Sequence, residues 1–421
     1  MGNWTRREVI GTSAGLGIAA LANPASALRR ATETINVGVI GCGGRGTGAA
    51  VNAMQADPAV RIVAMGDLFS DRLESSHGYL KGLEDFADRV TVEPERMFTG
   101  FDNSLGVVGV DDVDMVILAT PPHFRPIHFK QAIDAGKHVF MEKPAAADPA
   151  GVRMVIAAAA KADEQGLSVV AGTQRRHEKP YLALMQKIHE GWLGDLISAS
   201  CYWNQGGLWV HERKPQYSDM EWQCRNWLYF CWLSGDHICE QHVHNLDVIN
   251  WAAGGPPAKA MGMGGREVRT AEKYGNIFDH FAVEYEYPNG LHLTSMCRQT
   301  DGCAGRVAEF IRGKRGMSRS WSGHASIDNR WEYKDDKPNP YVVEHVDLIA
   351  SIRGDISRLN EAERVAESTL TAIMGRMSAY TGKEVTWEQA MTSELDLAPP
   401  AYEFGPVPVR DVPTPGRTPL V

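Results

Sequence analysis

The residues best suited to chemistry fall in three places. Gly41-Cys42-Gly43-Gly44-Arg45-Gly46 follows the β-branched run 35–40 and leads into an alanine-rich stretch. That is strand, G-x-G-x-x-G, helix. The first glycine permits a tight turn, the second lets a pyrophosphate approach the backbone, and the third lets the helix pack on the strand. The helix N-terminus adds N–H donors and a positive dipole end. A second apolar run, 61–65, ends in Gly66-Asp67. An acid there would bind a ribose 2′-hydroxyl and repel a 2′-phosphate. Leu68 follows it rather than an arginine, so Asp67 favours NAD over NADP. The third place is 234–247, with Glu240, His244 and Asp247. On one helix Glu240 and His244 stand at i,i+4 and share a face, with Asp247 three further on. A histidine paired with a carboxylate is suited to moving a proton near neutral pH. His237 and His242 raise the question of a metal, but H-x4-H-x-H is no standard zinc spacing, and residues two apart do not face together on a helix. No metal is expected.

These residues need elements to hold them. A strand over 113–119 ends in Thr120-Pro121-Pro122-His123, and a helix follows to Ala135. A short strand over 138–141 ends in Glu142-Lys143-Pro144. Strands alternating with helices imply a parallel, doubly wound sheet, which binds ligands at the carboxyl ends of its strands. Gly41, Asp67, Thr120 and Lys143 all sit at such ends. From about residue 148 the pattern changes. After helices over 152–161 and 181–190, with a strand over 168–172 between them, strands dominate: 196–203, 281–287, 291–296 and a hairpin over 307–316. Amphipathic helices are expected over 342–353 and 361–380, and a proline-rich extended tail from Pro399. The expected fold is α/β: an N-terminal Rossmann domain over 28–147, an α+β domain with a large, mainly antiparallel open sheet over 148–390, and a tail over 391–421.

The sequence resembles the Gfo/Idh/MocA oxidoreductases, named for glucose–fructose oxidoreductase and inositol dehydrogenase. The resemblance rests on 41–46, Thr120-Pro121-Pro122-His123, Glu142-Lys143-Pro144 and the acid–histidine segment, and covers nearly all of the chain after residue 27. Glu142-Lys143-Pro144 is its most specific element. The resemblance implies that Lys143 lies beside the nicotinamide and substrate, that the Lys143–Pro144 bond is often cis, and that Thr120, Pro121, His123 and Glu142 help to hold the cofactor. It also implies that Thr173-Gln174-Arg175-Arg176-His177 lines the cleft. Many members open the acid–histidine helix with Asp-x-Gly-x-His-x-x-Asp. Here Glu240 stands for the first acid and His242 for the glycine, while His244 and Asp247 match. Lys143 and His244 are then the joint acid–base candidates, with Glu240 orienting or tuning its partner. The open sheet in the family often supports oligomer contacts, so a homodimer or homotetramer is expected.

Composition narrows the substrate. Six of the eleven tryptophans lie between 203 and 251, several sharing one loop-like stretch with Asn204, Gln205, His211, Arg213 and Arg225. Flat aromatic faces interleaved with hydrogen-bonding groups suit a sugar, so Trp203, Trp209, Trp227 and Arg225 join Arg175 and Asp247 as candidate substrate contacts. The 43 basic and 52 acidic residues give −9, which argues against nucleic acid as a partner. Seven scattered cysteines do not make a disulfide scaffold.

The first 27 residues read as an address. Thr5-Arg6-Arg7-Glu8 precedes a weakly apolar, Gly/Ala/Ser-rich run over 9–28, and Pro24-Ala25-Ser26-Ala27 offers an A-x-A cleavage pattern. The paired arginines resemble a twin-arginine (Tat) signal, with an uncleaved membrane anchor as the rival reading. Cleavage removes Arg6, Arg7 and Glu8, a net +1, so −9 becomes −10. Tat export carries folded proteins, which implies a cofactor loaded in the cytoplasm and held tightly in the periplasm, with no stable membrane span after cleavage. Three functions fit: an exported NAD-dependent oxidoreductase on a sugar, polyol or sugar derivative; an NAD-dependent glycoside hydrolase working by transient oxidation and elimination; and a non-catalytic sugar-binding protein, against which the intact glycine turn, Asp67, Lys143 and His244 argue.

Overall fold

The computed structural model describes residues 33–421, and the expected signal segment lies outside them. In the first layer β1 is Ile35–Ile40, α1 Gly44–Ala56, β2 Val60–Asp67, α2 Ser70–Lys81 and β3 Met97–Thr99; then come α3 Asn103–Val108, β4 Met115–Leu118, α4 Arg125–Asp134, β5 His138–Met141, α5 Pro149–Glu164 and β6 Val169–Ala171. The six strands pair in the order β3-β2-β1-β4-β5-β6, all parallel. A parallel sheet covered on both faces needs continuous apolar strands, and every residue of β4 is buried. The strand order reverses beside β1, between β2 and β4, which opens the crevice where such sheets bind ligands. α1 buries Gly46, Ala49, Ala50 and Ala53, small residues that let it lie close to the sheet.

The parallel layer runs past the boundary expected at 147. Asp148 caps α5 by accepting from the Gly151 N–H, Pro149 opens the helix, and the chain then returns as β6 beside β5. This is the ordinary βαβ crossover, completed at Ala171.

The second layer begins with α6 Lys179–His189 and β7 Leu196–Gln205, followed by α7 Asp219–Arg225, α8 Cys231–Ser234, α9 His237–Glu240 and α10 Val243–Ala253. Next are β8 Lys259–Gly265, β9 His280–Glu286, β10 His292–Gln299, β11 Arg306–Gly313, β12 Gly316–Trp321, β13 His324–Ile327 and β14 Trp331–Glu332. α11 Pro340–Arg353, α12 Ala362–Thr381, β15 Val385–Thr386 and α13 Trp387–Thr392 complete the chain. The nine strands run β14-β13-β12-β11-β7-β10-β9-β8-β15, antiparallel except for the β7–β10 pair. α12 is buried along nearly its whole length, between α5 and β8. It can come so close because Gly375 has no side chain: a Cβ there would lie 2.1 Å from the Tyr285 hydroxyl. The other face of the sheet is open and leaves Met261, Met263, Met296 and Trp321 exposed.

Two late segments return to the first layer. α11 packs on α1, adding Leu348 and Ile349 to the core under β1 and β2, and Arg353 pairs with Asp57. The tail after Ser393 stays on the chain's own surface. Leu397 N–H donates to Asp148, the Gly405 carbonyl accepts from Met220 N–H, and the Val407 carbonyl accepts from Gln223. Among the described residues no helix is long and apolar enough to cross a membrane, no cluster of metal-ligating side chains occurs, and the cysteines are all free thiols.

Candidate active site

The glycine turn has the geometry its spacing predicts. Gly41 takes φ +95°, and a Cβ there would lie 2.7 Å from the Ala119 carbonyl carbon. A Cβ on Gly46 would fall 1.8 Å from the Gly41 carbonyl oxygen, so only glycine lets α1 start this close to β1. Gly44 has open space before it, and α1 begins with no side-chain cap. Its first N–H groups therefore have no side chain competing for them. Cys42 is buried beneath the turn, its thiol donating to the Gly66 carbonyl. Asp67 receives the Cys42 N–H at 2.7 Å on one oxygen and the Phe69 N–H at 2.9 Å on the other. Burial raises the Asp67 pKa against the pull of those two donors.

From here a cleft of about 560 Å³ runs along the carboxyl ends of the strands. Gly41, Gly43, Gly44, Arg45, Asp67, Thr120, Pro121, Glu142, Lys143, Glu240 and His244 all line it. At its far end the Lys143–Pro144 peptide is cis. Arg125 braces that loop from below, donating to the Pro144 carbonyl at 2.5 Å and the Thr120 carbonyl at 2.7 Å. Burial lowers the Arg125 pKa to about 10, which leaves it charged at neutral pH. Lys143 Nζ reaches the Glu240 carbonyl at 2.5 Å and its Oε1 at 3.3 Å. Arg45 pairs with Glu142 and with Glu344 of α11, and its guanidinium lies 5.0 Å from the Tyr341 ring centroid.

His244 faces the same end, its ring stacked on Trp203 at 5.6 Å and 22°. Burial, reinforced by Lys143, Arg175 and Arg45, pushes its pKa well below the usual imidazole range. The neutral ring can therefore accept a proton at physiological pH. Its Nδ1 and the Glu240 Oε2 are buried with no partner, as is the Gln174 Oε1 beside them. A buried polar atom without a partner calls for an explanation, and a bound ligand supplies one for three that share a cleft. The glycine cradle, the uncapped helix and these orphaned atoms fit a dinucleotide.

Some expectations need correction. Glu240 and His244 do not share one helix, because the chain breaks at Gln241 and His242. Gln241 Oε1 accepts from Gln205 and Gln299, both at 2.9 Å, and His242 Nε2 bonds Ser295 at 2.7 Å. These anchors to β7 and β10 end α9 and restart the helix as α10. Several predicted contacts lie outside the cleft lining. His123 is buried and bonds the Tyr402 hydroxyl at 2.8 Å. Arg175 is buried against Glu309. Asp247 is buried between Arg176 and Arg364 and serves as an anchor for them. Arg225 pairs with Asp71 and Glu221. Trp203 is outside the lining too and stacks on His244, whereas Trp209 and Trp227 do line the cleft. Trp222 and Trp232 are core residues.

Arg72, Arg125 and Tyr341 also line the cleft and carry no motif of their own, and His211 lines it from the tryptophan-rich stretch. Arg72 stands five residues after Asp67, one turn into α2, and its guanidinium would lie 3.4 Å from a Gly43 Cβ. The residue directly after Asp67, Leu68, does not show this arginine. Tyr341 reaches the cleft from α11, which no local pattern places there.

A family model described as an oxidoreductase family, NAD-binding Rossmann fold, matches residues 35–170, and the GFO/IDH/MocA C-terminal domain matches 181–318. An inositol 2-dehydrogenase of Saccharopolyspora erythraea is 25% identical over 262 residues, 62% of this chain and 65% of that protein. A glycosyl hydrolase family 109 protein of Streptomyces coelicolor is 26% identical over 190 residues, 45% of this chain and 37% of that protein. The chain thus spans about half the length of the curated relatives it matches. Among solved structures, an aldose–aldose oxidoreductase of Caulobacter crescentus shares the fold with a TM-score of 0.65 at 15% identity, covering 84% of this chain and 100% of that one.

Proposed function

The chain belongs to the Gfo/Idh/MocA oxidoreductase family, and from that premise we propose that it is an exported, NAD-dependent oxidoreductase acting on a sugar, polyol or sugar derivative. One observation carries the reading: Lys143, Glu240 and His244 converge at one end of a cleft whose other end holds the glycine turn and Asp67. When bound, the nicotinamide supplies hydride acceptance and donation. The chain supplies the rest. The first turn of α1 binds phosphate, and the Asp67 carboxylate takes a ribose hydroxyl and disfavours a 2′-phosphate. Lys143 and His244 hold the reacting substrate oxygen and manage its proton. Glu240 positions Lys143 through its carbonyl and its carboxylate.

Export rests on Arg6-Arg7, the weakly apolar run and the A-x-A pattern. Free NAD is scarce outside the cytoplasm, so a tightly held cofactor reduced by one substrate and reoxidised by another suits an exported enzyme. The aldose–aldose oxidoreductase of similar fold carries such paired substrates in its name. Self-association through the open face bearing Met261, Met263 and Met296 completes the reading, and light scattering tests it.

The principal experiment denatures the purified protein and assays the supernatant for NAD(H). Stoichiometric nucleotide is expected. No released nucleotide, together with no binding of added NAD, overturns the proposal. The glycosyl hydrolase family 109 relatives favour a second reading, glycoside cleavage with no net redox change. A glycoside panel followed at 340 nm and for aglycone release separates the two.

The environment of His244 gives a pH prediction. Its folded pKa is lowered, so the base form persists below the usual 6.5, and kcat/KM should show no acid limb near that value. Lys143 is one cause of the lowering. Lys143→Met should therefore move the His244 ring titration to higher pH, as read by NMR. An unchanged titration would show that the two groups are not coupled.

A further inference from the structure

The tryptophan-rich stretch does not sit where sugar recognition would need it. Trp209, His211, Cys224 and Trp227 line the cleft together with Asp67, Leu68, Phe69 and Arg72. Burial pushes the Cys224 thiol pKa upward, and the charges it feels next are Arg72 and Asp67. His211 feels Arg72 and Arg225, and it also borders the outer side of the glycine turn with Cys42, Gly43 and Gly44. The stretch therefore faces the ribose and phosphate half of the cleft.

It is also fastened there. Arg225 donates to both Asp71 oxygens, at 3.0 and 3.1 Å, and its guanidinium lies 3.9 Å from the Phe69 ring centroid. Phe69 and Asp71 directly follow the β2 end that carries Asp67. The C-terminal tail adds a second tie. Phe404 stacks on Phe69 at 6.1 Å and 22°, and Tyr402 bonds His123. The tail is joined to the tryptophan-rich stretch itself, through Gly405 to Met220 and through Val407 to Asp219 and Gln223. Two segments far apart in sequence thus meet on one aromatic ring at the lip of the nucleotide site.

We propose that residues 206–232, strapped by 402–407, form a clamp over the adenosine half of the bound dinucleotide and set how long it stays. This rests on the reading that NAD binds this cleft. A nucleotide leaving its site must wait for the Arg225–Asp71 pair and the Phe69 contacts to open, so the clamp slows release. Mutational changes in affinity for one site fall mainly on the dissociation rate. Trp209 and Trp227 then serve cofactor retention, which an exported enzyme needs, rather than sugar recognition.

The test uses the holoenzyme reloaded with NADH and chased with excess NAD, with release read as loss of energy transfer from tryptophan to bound NADH. Asp71→Ala removes both acceptors that tie Arg225 to α2, leaving it only Glu221 in its own segment, and does not touch the core, since the Asp71 side chain is 64% exposed. Phe404→Ala removes the tail's tie. Each is expected to speed NADH release by about tenfold or more, with the sugar KM changed far less. Trp209→Ala supplies the contrast. A raised sugar KM with unchanged release would place the stretch in substrate binding and overturn the clamp. Unchanged release in all three variants, with NADH still bound, overturns the clamp alone. A wild-type protein that binds no NADH overturns the underlying reading and the clamp with it.

Discussion

Lys143→Met is expected to lower kcat by about three orders of magnitude while the protein keeps its NAD, a loss within the range for removing a positioned acid–base group. Methionine matches the length of the lysine stem but cannot donate to the Glu240 carbonyl or its carboxylate, the two partners that aim Nζ. The glycine turn, Asp67 and the Arg125 brace lie outside the change, so cofactor content should hold. His244→Asn should cost a similar factor. The double variant should cost little more than the worse single one, because groups that handle one proton act as a unit. The check is kcat for both variants alongside NAD released on denaturation. Turnover within tenfold of wild type in Lys143→Met would remove Lys143 from the chemistry.

How much of this was legible in the sequence depends on how local the signal is. The glycine turn and Glu142-Lys143-Pro144 lie directly after strands and Asp67 ends one, and the α/β alternation that places strand ends in one crevice is itself a local pattern. Those residues meet as the pattern requires. The ion-pair roles of Arg175 and Asp247 are not legible because their partners are remote: Glu309 lies 134 residues from Arg175, and Arg364 lies 117 from Asp247. A charged residue with no visible partner looks free for a ligand. The break between α9 and α10 was hidden for a related reason. Helical spacing describes 237–247 well, but Gln205, Gln299 and Ser295 on neighbouring strands capture the junction. The tryptophan cluster was visible as composition, yet composition says nothing about which half of a cleft a loop will cover. That was decided by Phe69 and Asp71, more than 130 residues earlier in the chain.

Glu309→Ala should be the most destabilising single change near the site, by about 3–5 kcal/mol, because it strips a buried cation of its partner. Glu309 sits on β11, fully buried, and its two oxygens accept from four donors: Arg175 and Asn245 on one, Tyr181 and Ser320 on the other, at 2.5 to 2.9 Å. Alanine leaves all four donors buried and the Arg175 charge uncompensated. Against the 5–15 kcal/mol typical of a folded domain, that is a large share, and urea unfolding should show it as a lowered midpoint. The consequence reaches the chemistry by contact. Arg175 lies 5.6 Å from the Trp203 ring centroid, Trp203 stacks on His244, and Asn245 is the next residue in the chain. Replacing the pair together, Arg175→Met with Glu309→Leu, should recover most of the stability, since apolar residues of similar volume often substitute for a buried ion pair without loss. Activity should not recover to the same degree. Arg175 is one of the charges that depress the His244 pKa, and with it gone the ring should titrate at higher pH. A double variant restored in stability whose His244 still titrates as in wild type would confine Arg175 to holding the fold.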